Sequence, residues 1–62
     1  MLLNIEKVVK TGKNFEKRFF NFLDEHNIEW DQTNENLNKI ELCDLKYLKK
    51  IKFVFGDFVS LN

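Results

Sequence analysis

The sequence predicts a small α+β domain, a four-stranded antiparallel sheet with two helices on one face in the order βαββαβ. Three observations predict it. An apolar stripe at helical spacing runs from Phe15 to His26, two alternating apolar/polar segments flank an asparagine-rich turn, and a second, shorter helical stripe begins after Asp44. At 62 residues the chain is read as one domain over residues 1–62, near the size where only about 60% of the unfolded surface is buried on folding. Each large apolar side chain then counts, and seven phenylalanines with Trp30 and Tyr47 supply roughly 1.5–3 kcal/mol apiece when fully buried.

Residues Leu2 to Val9 fit two patterns. Leu2, Ile5, Val8 and Val9 share a helical face, whereas Leu3, Ile5 and Val9 alternate as in a strand. The β-branched content and the long connection supplied by the next helix favour a first strand, and Gly12 ends either element. The alternative architecture is an N-terminal helical hairpin followed by a small antiparallel sheet.

The next helix is the clearest element. Phe15, Phe19, Phe22, Leu23 and His26 fall on one face, with Glu16, Lys17, Arg18, Asn21, Asp24 and Glu25 elsewhere. Asn14 is a candidate N-cap, and Asn27 can adopt the left-handed conformation that ends a helix. Phe20 lies about 60° off the stripe, which places it at the core edge or leaves it free for a partner.

Beyond Asn27, Ile28, Trp30 and Gln32 alternate with Glu29, Asp31 and Thr33, a strand with one apolar and one acidic face. Asn34, Glu35 and Asn36 read as a turn, and Ile40 and Leu42 alternate with Lys39, Glu41 and Cys43 in a second strand paired antiparallel to the first. Asp44 caps a short helix in which Leu45, Leu48 and Ile51 share a face. From Phe53 the pattern is again strand-like, with Gly56-Asp57 as a bulge or a two-residue hairpin turn.

This order resembles the ferredoxin-like fold. The stretch Phe22-Leu23-Asp24-Glu25-His26-Asn27-Ile28-Glu29-Trp30 is similar to the helix-to-strand passage of ACT-type regulatory domains, although their amino-acid-binding residues have no matched counterpart. RNA-recognition domains share the order, but their basic-glycine-aromatic signature finds no correctly ordered match in Lys52-Phe53-Val54-Phe55-Gly56-Asp57-Phe58.

The formal net charge is zero, yet the charges are sorted along the chain. Residues 1–18 carry five bases against two acids, residues 19–45 seven acids against Lys39 alone, and residues 46–62 four lysines against Asp57. Sorted charge gives a small neutral body local potentials of opposite sign, and these govern partner choice and association rate.

Catalysis finds little to work with. One histidine, one cysteine and one serine allow only a Cys43–His26 pair with a nearby acid, drawn from separate elements. A helix-end role for His26 needs no such convergence. The carboxylates lack the calcium-loop spacing with its central glycine, there is no ligand cluster for zinc, and no phosphate-binding glycine loop, so no cofactor or metal is expected. A single cysteine forms no internal disulfide, which fits a reducing, cytoplasmic setting. No apolar run is long enough to span a membrane.

The leading functional expectation is therefore a non-enzymatic protein-binding regulator or inhibitor. Lysine-rich, alanine-free composition fits an AT-rich phage or mobile-element gene, and with it an anti-defence role. Its expected partner-binding surface is acidic (Glu29, Asp31, Glu35 and Glu41) with Phe20 or Trp30 as aromatic anchor. The alternative is a nucleic-acid-binding dimer using Lys46, Lys49, Lys50 and Lys52, with Lys13, Lys17 and Arg18 in support. The absence of arginine from that run argues against sequence-specific readout. Homodimerisation suits either reading, with Phe58, Val59 and Leu61 as candidate contacts.

Overall fold

The computed structural model describes residues 1–33 and 36–61. In chain order the elements are β1 (Leu2–Asn4), α1 (Glu6–Thr11), α2 (Lys13–Glu25), β2 (Trp30–Gln32), β3 (Lys39–Leu42), α3 (Lys46–Phe55), a 3-10 turn (Gly56–Phe58) and β4 (Ser60–Leu61). The expected α+β class and four-stranded antiparallel sheet are present, with strand order β2-β3-β1-β4. β3 separates β1 from β2, and β1 separates β3 from β4. The two β-helix-β units are therefore interleaved, which is the split βαβ arrangement the element order predicts.

Residues 2–9 satisfy both patterns in turn. Leu2–Asn4 form the strand, and the chain then enters a helix that the two-helix expectation omitted. The Asn4 side-chain oxygen accepts the Glu6 N–H at 2.8 Å, satisfying one of the orphan donors of a helix start. Gly12 ends α1 and opens α2 in a single residue, at φ +136° and ψ 169°, a region open to glycine and costly for residues bearing a Cβ. Helix α2 accordingly starts from Gly12, whose carbonyl accepts the Glu16 N–H at 3.0 Å, and Asn14 is not its cap. At the other end Asn27 takes the left-handed conformation, φ +54°, as expected.

The larger correction concerns the C-terminal segment. Phe53, Val54 and Phe55 belong to α3 and not to a strand, and Gly56-Asp57 is neither bulge nor hairpin turn. Gly56, at φ +51°, ends the helix, its N–H donating to the Lys52 carbonyl. The last strand comes later and is shorter, with Asn4 opposite Ser60 and Leu3 opposite Leu61. Packing outweighs β-propensity here. As a helix the segment extends the Leu48/Ile51 face by Phe55, whose ring makes edge contacts with Phe15, Phe19 and Phe22 at centroid distances of 5.8, 5.0 and 5.3 Å.

The core lies between the helices and one sheet face. Leu3 and Ile5, Val8 of α1, Phe19 and Leu23 of α2, Ile28, Ile40 and Leu42 of β3, Ile51 and Phe55 of α3, and Val59 are buried. No polar side chain among the described residues is buried with them. The predicted α2 stripe is thus partly right. Phe19 and Leu23 are fully inside, Phe15 and Phe22 half-buried, and His26 exposed. Phe20 is at the core edge, its ring 4.9 Å from that of Trp30.

Candidate functional site

Cross-strand pairing decides what the uncovered sheet face carries. Asp31 stands directly opposite Glu41, which also pairs with Leu2 on its other side. Ile40 and Leu42 are buried on the helix side, so Glu41 and Asp31 point away from the helices. Glu29 follows Asp31 by alternation, and its carbonyl extends the ladder by accepting the Cys43 N–H at 3.2 Å. Three of the four predicted acids, Glu29, Asp31 and Glu41, therefore share one face, and the Glu41 carboxylate is in contact with the Met1 ammonium. Glu35 and the predicted turn at Asn34 and Glu35 lie outside the described residues.

The predicted aromatic anchor is on the other side. Trp30 pairs with Leu42 and points with it toward the helices, where it is half-buried against Phe20. The acidic face and the Phe20–Trp30 pair share the edge strand β2 but not a surface. Among the C-terminal contacts proposed for a dimer, Val59 is buried, Phe58 packs on Phe15 at 4.7 Å, and Leu61 is exposed on the edge strand β4.

The basic run divides in two. At 100° per residue Lys46, Lys49, Lys50 and Phe53 fall within one quadrant or so of α3, opposite Leu48, Ile51 and Phe55. Together they line a shallow concavity. Lys52 lies off this stripe and donates to the Val59 carbonyl at 3.1 Å, tying the end of α3 to the chain entering β4. At the helix start the Asp44 side chain accepts the Lys46 N–H at 2.9 Å, acting as the predicted cap. Its carboxylate also lies 4.0 Å from Lys46 Nζ, an exposed pair worth little. The Lys46 ammonium stands 5.3 Å from the Tyr47 ring centroid.

Phe53 is the side chain the sequence reading missed. It is 90% exposed, and it stands one turn beyond Lys49 and Lys50. Its signal was present as the i, i+3, i+4, i+7 spacing of residues 46, 49, 50 and 53, and the β-rich run Phe53-Val54-Phe55 masked it. Leu45 and Val54, at 64% and 53% exposure, flank the same stripe at its two ends.

The remaining candidates stay apart from these surfaces or from each other. His26 caps α2 through its backbone N–H, which donates to the Phe22 carbonyl at 3.1 Å, while its ring rests on that of Phe22 at 4.3 Å. Cys43 is exposed on the bend after β3. Lys13, Lys17 and Arg18 lie on α2, where Arg18 borders a groove lined by Phe15, Phe22, Val54 and Phe58. Among the described residues no group of three His, Cys, Asp or Glu side chains is placed to hold a metal ion. Among them, too, no helix is long and apolar enough to cross a membrane.

Comparison with known families, characterised proteins and solved structures finds no match for this chain.

Proposed function

We propose that the protein is a non-enzymatic binding module, a small regulator or inhibitor, and that it docks an anionic macromolecule on the outward face of α3. The observation that carries this reading is Phe53, 90% exposed among Lys46, Lys49 and Lys50. A phenylalanine so placed adds almost nothing to folding and has lower helix propensity than alanine by about half a kcal/mol. It does supply what a binding face needs, a desolvating anchor inside a ring of charge that steers the encounter. The exposed Cys43 thiol supports a reducing compartment such as the cytoplasm.

A second reading keeps the acidic sheet face as a docking surface for a basic protein. It is favoured by the Asp31–Glu41 pair, since like charges placed directly across two strands weaken the sheet and Asp31 has no ion-pair partner among the described residues.

Two charge-reversal variants separate the readings. Tagged protein is used to capture partners from lysate with and without nuclease, each recovered partner is identified, and wild type is compared with K46E/K49E/K50E and E29K/D31K. Loss of a stoichiometric partner in the lysine variant alone is the expected result. Loss in the acidic variant alone would transfer the function to the sheet face, and a partner indifferent to both would refute both surfaces.

A further inference from the structure

The outward stripe of α3 offers three ammonium groups and one ring. Lys46, Lys49 and Lys50 fall within five residues, about 6 Å of helix axis at 1.5 Å per residue step, and Phe53 follows within one further turn. A ligand matching this stripe must present closely spaced negative charges and, beside them, a flat apolar surface. The charges are all lysine, compact points without the planar fork that arginine offers to a guanine edge. The stripe therefore registers charge and a flat face and reads no particular base.

Single-stranded nucleic acid meets both requirements in one chain, because each phosphate is followed by a base whose π-face is free to stack. A duplex meets only the first, since its base faces are stacked inside, and an acidic polypeptide has no obligatory ring beside its charges. The opposite side of the molecule suits the same ligand less well, because its acids outnumber Lys39 and the Met1 ammonium on that face. Glu29 and Asp31 on the open sheet face disfavour phosphate, Glu41 there being paired with the Met1 ammonium, and the rings of Trp30 and Phe20 are turned to the helix side.

We propose that this face of α3 binds single-stranded nucleic acid without sequence preference. Lys46, Lys49 and Lys50 neutralise phosphates, and Phe53 stacks on a base. This deepens the reading of α3 as an anionic docking surface and rests on it.

The test is fluorescence anisotropy with a dye-labelled oligothymidine about 16 nucleotides long, within the site size of single-strand binders. The probe is compared with a duplex of equal length, with heparin and with polyglutamate as competitors. Three neutralised phosphates predict that log K falls with log salt at a slope near −2 for a single strand. Phe53→Ala should weaken single-strand binding roughly 5- to 150-fold, the range of one lost base–aromatic stack, and leave the salt slope unchanged. K49E/K50E should abolish binding, with circular dichroism confirming that each variant keeps its fold.

Equal affinity for duplex, heparin or polyglutamate, with no effect of Phe53→Ala, would overturn the single-strand assignment while leaving α3 as a general anionic docking face. Failure of every polyanion to bind at about 50 mM salt, where phosphate contacts are strong, would overturn both.

Discussion

Phe53 and Phe55 are two residues apart, and truncating each to alanine has opposite expected consequences. In a strand, positions i and i+2 share a face, so both rings would be buried together or exposed together. In a helix they are separated by about 200°. Phe55 is 8% exposed and sits against the rings of Phe15, Phe19 and Phe22 at 5.0–5.8 Å. Removing it leaves a cavity at the junction of α2 and α3, a change that costs about 3–5 kcal/mol in packed cores. Phe53 is 90% exposed, so Phe53→Ala sacrifices almost no burial and gains up to about 0.5 kcal/mol in helix propensity.

These magnitudes are large beside the total. A domain of 62 residues carries roughly 3–9 kcal/mol of stability at 0.05–0.15 kcal/mol per residue. With a urea slope near 1 kcal/mol per molar, the small-protein end of the range, Phe55→Ala should lower the unfolding midpoint by about 3 M or leave the chain largely unfolded in buffer. Phe53→Ala should leave the midpoint within about 0.5 M of wild type. Urea titrations followed by far-UV circular dichroism and by the fluorescence of Trp30 measure both. A Phe53→Ala variant destabilised as much as Phe55→Ala would refute the helical register of residues 46–55 and, with it, the stripe on which the functional reading stands.

Two further expectations concern the joints between elements. Gly12→Ala adds a Cβ that meets nothing within 4 Å, so its cost is the backbone strain of φ +136° alone, about 1–3 kcal/mol; thermal unfolding of that variant at or above the wild-type temperature would show that the corner can relax. Asp44→Ala removes the cap on the Lys46 N–H and should destabilise by about 0.5–2 kcal/mol, seen as a lower urea midpoint with an unchanged slope.

Legibility in the sequence followed the range of the determining interactions. Helix α2 and the β2–β3 pair are set by periodicity and by local signals such as Asn27, and they occur where the spacing places them, with Asp31 opposite Glu41 as alternation implies. The α1 helix was obscured because Ile5 and Val9 serve a helical face and a strand equally well, and its start is marked by a single local contact, the Asn4 side chain accepting the Glu6 N–H. The end of α3 was misread for a different reason. Val54 and the phenylalanines favour strand on propensity, and what holds them in a helix is Phe55 seating among three rings from α2, contacts at a separation of more than thirty residues that no local window contains. The basic face was legible as far as Lys46, Lys49 and Lys50, but its aromatic member became visible only once the helix was extended past Ile51.

That one error of register changes which surface is the stronger binding candidate. With residues 53–55 in a strand, the acids had the better claim, because Phe20 and Trp30 were the aromatics available to stand beside them. The alternation of β2 turns Trp30 onto Phe20, across the sheet from the acids, and with the helix extended the exposed ring belongs to the lysines. Steering charge without an anchor raises the rate of encounter but does little to hold a complex, whereas charge around a desolvated ring does both. On α3 the two occur on the same helix face. On the proposed reading, the acids on the open sheet would act chiefly by exclusion, directing an anionic partner to the opposite side of the body.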